Sequence, residues 1–391
     1  MTATPLAGLK VVEFTHMVMG PAVGHILASL GAEVVRVEPI GGDQTRRLLG
    51  SGAGYFPMYN RHKDSICLDL KSEDGLQIAK QLAERADILI ENFRPGALER
   101  LGLGYDALKE ANPRLIYCSE KGFLPGPYEN RTALDEVAQM MGGLAYMTGP
   151  PGRPLRAGAS VIDVTGGMFG VIAILAAVEE RHRTGVGQKV QSSLFETTVY
   201  LVGQHMAQKA VTGRAADPMP ARISAWAIYD VFETADDSHV FIGVVTDALW
   251  QKFCELFGLD DLWADVSLRK NNDRVLARER LMPEVRALVK RFTRDAIIAK
   301  LDGTGLPFAA IGQPEDMFDD PHLLASGRLE AVTLDDGRET MLPGLPIEMD
   351  GSRGGGGDAL PVPGRDTRAV LAALGHDAAA IEALLAKGAV G

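Results

Sequence analysis

The sequence predicts an α/β fold: a large domain built on a parallel sheet, then a smaller α+β domain. Three observations carry this. Short β-branched runs alternate with helix-spaced apolar segments over the first two hundred residues. The alternation stops at a small, polar, Pro-containing stretch, TGRAADPMPARIS, starting at Thr212. Beyond it, two strand-like runs flank a tight turn at Asp236-Asp237-Ser238. At 391 residues the chain also exceeds the usual size of one core, so two units are expected on length alone.

Taken in order, residues 9–14 (LKVVEF) read as a strand. Residues 21–30 read as a helix stopped by Gly31, and residues 32–37 (AEVVRV) as the next strand. Strand, helix, strand in that space describes a right-handed βαβ unit, hence a Rossmann-like core. A helix is expected over 75–86, a buried strand over 88–91, short helices at 98–101 and 105–110, and a strand at 115–119. Helices over 135–144 and 166–183, a strand at 189–193 and a long segment at 194–209 close the first domain, placed at 1–210. Residues 211–225 form the linker and 226–325 the smaller domain, with a hairpin (227–233, 239–245), helices at 248–257, 275–292 and 293–301, and a strand at 308–311. Residues 326–391 return to the large domain; the stretch 343–366 reads as loop-rich, with the glycines 354–357 as a connector, before a helix near 377–387.

A formal net charge of −11 opposes nucleic acid as a partner, which needs a basic surface, but leaves room for a polyanionic small ligand held by a few cations. Cys67, Cys118 and Cys254 form no C-x-x-C pair, and the eight His residues no H-x-x-x-H, so neither a disulfide framework nor a metal site is expected. No secretory signal is read at the start. The most apolar run, 168–178, is too short to span a bilayer, so no membrane partner is expected and the location is read as cytoplasmic.

Four motifs bear on chemistry. The turn after the first strand, Thr15-His16-Met17-Val18-Met19-Gly20, sits where parallel sheets bind ligands, but it lacks the dinucleotide pattern G-x-G-x-x-G. His16 there is equally a packed or capping histidine. Glu91-Asn92-Phe93-Arg94-Pro95-Gly96 follows a strand: Asn, an aromatic ring and Arg suit a nucleotide, and a Pro-Gly turn with solvated neighbours suits the same residues. Asp163 precedes an apolar helix and reads as its N-cap, yet Gly166 and Gly167 are costly in a first turn unless a ligand approaches free N–H groups there. The glycines of Gly185-Val186-Gly187 read as the end of the preceding helix, since phosphate loops precede helices.

In order and spacing, these segments resemble the class III CoA-transferases, the family of formyl-CoA transferase and carnitine CoA-transferase. The resemblance runs through LAGLKVVEFTHMVMGPAVGHILASLGAEVVRVEP, ENFRPGALERLGLGYDAL, ASVIDVTGGMFGVIAILAA and PGRDTRAVLAALG, and so covers nearly the whole chain. It implies an interlocked homodimer with the active site between the large domain of one chain and the small domain of its partner. It implies Asp163 as nucleophile, with no tightly bound cofactor and with coenzyme A and acyl-CoA as substrates. The implied CoA contacts are Val18, Met19, Leu68, Leu70, Lys71, Asn92, Phe93, Arg94, Arg100, and Thr132 through Asp135. Two departures, Pro39 in place of an arginine beside the adenine and 217–224 in place of a glycine-rich lid, speak against formate or oxalate.

The same fold also serves α-methylacyl-CoA racemase, whose histidine in a His–Asp pair is Leu134 here. A leucine cannot exchange a proton, so transfer is expected rather than racemisation or epimerisation. The reaction expected is movement of CoA from an acyl-CoA donor, succinyl-CoA or another dicarboxylyl-CoA, to a carboxylic acid through an aspartyl anhydride and thioester. Gly166 and Gly167 are candidates for the oxyanion. Arg222 either pairs with a distal substrate carboxylate or is an exposed linker charge. A silent CoA-binding scaffold is opposed by the retained Asp163, and a dehydrogenase by the missing dinucleotide glycines.

Overall fold

The computed structural model describes residues 4–222, 224–350 and 360–391. The expected glycine connector at 354–357 lies outside the described residues. The chain separates into two compact units, one of Met1–Pro220 with Pro321–Gly391 and one of Ala221–Asp320.

The larger unit begins with β1 (Lys10–Phe14), α1 (Met19–Ser29), β2 (Glu33–Glu38), α2 (Tyr55–Tyr59), β3 (Asp64–Cys67), α3 (Glu73–Arg85) and β4 (Ile88–Glu91). It continues through α4 (Tyr105–Ala111), β5 (Ile116–Lys121), α5 (Asp135–Met141), α6 (Leu144–Thr148), α7 (Val161–Thr184), β6 (Lys189–Ser193) and α8 (Leu194–Thr212). All six strands pair in parallel in the order β3-β2-β1-β4-β5-β6. The chain therefore reverses its direction of winding between β1 and β4, and the crevice beyond their C-terminal ends is where such sheets take ligands.

Helices cover both faces, which is why the strands read as continuous apolar runs. On one face Val11, Ile88, Ile90, Ile116 and Cys118 meet Val23 and Leu27 of α1 and Val171 and Ile174 of α7. On the other, Val12, Phe14, Ile66 and Leu89 meet Ile78 and Leu82 of α3. The helix α3 starts at Ser72, whose hydroxyl accepts the Gly75 N–H at 3.0 Å.

The helix α7 is longer than the expected 166–183 and, by length and composition, long and apolar enough to cross a membrane. Its glycine face packs as a core helix does. A side chain at Gly166 would stand 2.6 Å from Met19 Cε, and one at Gly167 2.9 Å from the Met19 carbonyl. The single helix expected over 135–144 is two, broken where Gly143 takes φ +88°.

The smaller unit holds β7 (Tyr229–Glu233), β8 (His239–Gly243), α9 (Asp247–Phe257), α10 (Asp260–Ala264), α11 (Asn271–Leu276), α12 (Arg278–Val289), α13 (Arg294–Leu301) and β9 (Phe308–Ala310). Its antiparallel sheet runs β7-β8-β9, and its own core is centred on Phe232, Ile242, Trp250, Phe253 and Val285. The helix expected over 275–292 is shortened. The buried Arg274 bonds the carbonyls of Leu268 and Arg269 and the Asp247 carboxylate, and so holds α11 apart from α12.

The chain then returns through α14 (Pro321–Ser326), β10 (Leu329–Thr333), β11 (Glu339–Pro343), α15 (Thr367–Ala373) and α16 (Ala378–Ala386). The antiparallel β10–β11 hairpin lies in a stretch for which no element was expected. Residues after 364 bind the β3 edge: Ser65 N–H donates to the Asp366 carboxylate at 2.9 Å, and Leu68 bridges Val390.

Candidate active site

The turn after β1 is held by three elements. His16 N–H donates to Asn92 Oδ1 at 3.0 Å, and Asn92 Nδ2 donates to the His16 carbonyl at 2.8 Å. Met17 N–H donates to Thr45 Oγ1 at 3.2 Å. Met17 takes φ +63°, a left-handed conformation costly for a side chain with a Cβ and kept here by these bonds. Thr45 is placed in turn by Asp43, which pairs with the buried Arg36; Arg36 and Lys63 both bond the buried Glu13.

The Asn92 amide, expected to contact CoA, latches two loops together in this structure. The His16 ring stacks on Phe93 with centroids 5.3 Å apart. Burial pushes its imidazole below the ordinary value, which favours the neutral ring. Glu91 fixes Phe93 by accepting its N–H at 2.9 Å, and Lys121 bonds both Glu91 and the Phe93 carbonyl.

The remaining expected contacts fall into two groups. Val18, Met19 and Leu68 are buried, so their side chains belong to the core. Leu70 also packs against that core. Lys71, Arg94 and Arg100 are exposed, without an ion-pair partner among the described residues, and are available to phosphate. Arg222 belongs to the smaller unit.

Asp163 departs most from the sequence reading. It is the third residue of α7 and not its cap; the capping position is Ser160, which makes no side-chain cap bond. The cap comes from α5: Asp135 Oδ2 accepts the N–H of Ile162 at 2.9 Å and of Asp163 at 3.2 Å. Asp135, expected to touch CoA, therefore secures the start of α7. Gly166 and Gly167 lie a turn and more inside the helix, where N–H groups bond the preceding turn. The expected pair of free oxyanion donors is absent, and the glycines instead admit α1.

The Asp163 carboxylate itself makes no hydrogen bond or ion pair among the described residues. Its proton affinity is raised to about 7, first by burial, then by the charges of Asp135 and Glu136, with Arg156 opposing. Tyr59 of α2, which sequence reasoning missed, is close enough for the Asp163 charge to push its phenol upward along with burial. No motif marks it; the only signal is an aromatic pair, Tyr55 and Tyr59, after a run of small residues. Leu134 is exposed and Thr132 is exposed beside it, one residue and three residues before Asp135. Among the described residues no cluster of His, Cys, Asp or Glu has the makings of a metal site.

A carboxylate that is half-buried, unpaired and basic, at the head of a helix capped from elsewhere, is equipped for nucleophilic attack. Comparison with known proteins gives the family. The sequence matches CoA-transferase family III over residues 6–367. It is 31% identical to succinyl-CoA:glutarate CoA-transferase of Mus musculus, across 99% of this chain and 90% of that protein. It is 34% identical to acetyl-CoA:oxalate CoA-transferase of Acetobacter aceti, across 89% and 90%. The crystal structure of a CaiB/BaiF family protein from Brucella suis aligns with a TM-score of 0.83 at 32% identity, across 96% of this chain and all of that one. A match over nearly the whole chain, on a fold built around a six-stranded parallel sheet, leads to one assignment: the chain is an enzyme of CoA-transferase family III.

Proposed function

We propose that this enzyme moves CoA from a dicarboxylyl-CoA donor of the succinyl-CoA type to a carboxylic acid, with Asp163 as nucleophile. The observation that carries this is the uncommitted Asp163 carboxylate, left free because Asp135 does the capping.

An Asp163 oxygen attacks the donor thioester carbon; the C–S bond breaks, giving an aspartyl acyl anhydride and CoA thiolate. The thiolate attacks the Asp163 carboxyl carbon, the donor acid leaves, and an aspartyl thioester remains. The acceptor carboxylate attacks that carbonyl and releases the thiolate again. The thiolate then takes the acceptor acyl group and frees Asp163. Each step exchanges one anion for another, and no proton is lost or gained. Leu134 in place of a base therefore costs transfer nothing, whereas racemisation would lack one of its two proton carriers.

The succinyl-CoA donor is supported by the name of the mouse relative. The relative from Acetobacter aceti, at similar identity, is named for oxalate, so a panel of donors and acids is the assay that assigns the pair. Lys71, Arg94 and Arg100 are the cations offered to the CoA phosphates.

Asp163→Ala is expected to lower transfer about a thousand-fold or more, as loss of a covalent nucleophile does. Acyl-CoA with hydroxylamine is expected to mark Asp163 in mass spectrometry. A fully active Asp163→Ala enzyme removes the mechanism.

The working unit is proposed to be a homodimer. Support comes from an apolar face on α7, where Met168, Ile172 and Leu175 follow each other at helical spacing and are all exposed, with Tyr200 and Met206 of α8 also exposed.

A further inference from the structure

Around Asp163, two carboxylates share one cation. Arg156 Nη2 bonds Asp135 Oδ1 at 3.2 Å, and its Nη1 pairs with Glu136. Asp135 is 4% exposed, and all its lone pairs are directed: Oδ2 to the N–H groups of Ile162 and Asp163, Oδ1 to Arg156 and, at 2.5 Å, to Gln139 Nε2. Gln139 is itself buried and fixed, accepting the Ala157 N–H at 2.8 Å. The carboxylate therefore cannot turn. A neutral hydroxyl at Ser160 would have sufficed as a cap. The protein places a buried anion there, brought from another helix, directly beneath its reactive group.

We propose that Asp135 is the positioning residue of the nucleophile: it fixes the backbone from which Asp163 projects and, as an immobile negative charge beside it, makes Asp163 a more reactive anion. This rests on the reading of Asp163 as nucleophile.

The charged and titratable groups facing Asp163 are Asp135 and Glu136 from α5, Arg156 from the segment before α7, and Tyr59 from α2. The toward-α1 side is apolar, where Met19 lies against Gly166. With one guanidinium serving two carboxylates, the surroundings keep a net negative charge. That disfavours a second anion, raises the affinity of Asp163 for a proton, and makes its ionised form more basic. A more basic oxygen attacks a thioester faster, and it depends on Asp135 keeping its charge.

The test is infrared titration of the full-length protein with carboxyl-labelled aspartate, the Asp163 band isolated by subtracting the Asp163→Asn spectrum. Asp135→Asn retains an acceptor oxygen but not the charge, and is expected to lower the Asp163 midpoint by about one unit. Arg156→Gln removes the opposing cation and is expected to raise it. With succinyl-CoA and glutarate as probes, the acidic limb of kcat/KM should move in the same two directions. At pH 8 Asp135→Asn should lose about three-fold in kcat with donor KM little changed. An unmoved midpoint in a folded Asp135→Asn overturns the proposal. Should that variant not fold, an unmoved or lowered midpoint in Arg156→Gln overturns it. The titration needs no turnover. Shifted midpoints beside a fully active Asp163→Ala would therefore sink the nucleophile and leave the coupling standing.

Discussion

Asp163 stands in the first turn of its helix without capping it, and its raised proton affinity sets a cost. Its folded value of about 7 exceeds the ordinary 3.8, so its contribution to stability is full below pH 3.8 and is lost as pH rises through 7. The same rise ionises the Asp163 carboxylate, so under the proposed mechanism activity and stability move in opposite directions across that window. The neighbouring latch is testable alone. Asn92→Ala strands the His16 N–H and carbonyl and is expected to destabilise the chain by about 1–3 kcal/mol in urea unfolding. It should also raise the KM for acyl-CoA, because the Met17 turn relaxes; an unchanged KM would detach this turn from substrate binding. None of this was legible in the residues. The motif reading took Asp163 for a helix cap, because the residue that does the capping lies 28 positions earlier in the chain.

At the scale of elements, the strand-and-helix rhythm was legible wherever an apolar run was long enough to be periodic, as in α1, β2, α3 and β4. It failed where local sequence is mute. The β10–β11 hairpin is built from LEAVT and ETMLP, too polar and short to stand out as strands. Gly166 and Gly167 drew a chemical explanation because two glycines are conspicuous in a helix; their cause is a neighbouring helix, invisible in one dimension. That cause predicts the effect of filling the space. Gly167→Ala gains about 1 kcal/mol of helix propensity but drives a methyl group to 2.9 Å from the Met19 carbonyl, which cannot yield as a side chain would. A net loss of about 1–3 kcal/mol is expected in denaturant unfolding. A stabilised variant would mean that α1 and α7 are less tightly joined.

For the whole molecule, the assembly state is the open property that the fold constrains most. Ile172 is 58% exposed on α7. On an isolated chain Ile172→Glu would be a surface change within about 0.5 kcal/mol. In a dimer that covers this face it would bury an unpaired charge and force dissociation. Sedimentation equilibrium is expected to give a dimer for the wild type and a monomer for the variant; a monomeric wild type would refute the proposed assembly.

The tie between Ser65 and Asp366 spans 301 residues, and Cys67 meets Thr367 across 300. While the protein is being made, β3 leaves the ribosome long before the segment that covers it. For some three hundred residues of synthesis the nascent sheet carries a bare margin, stitched only when the returning segment arrives.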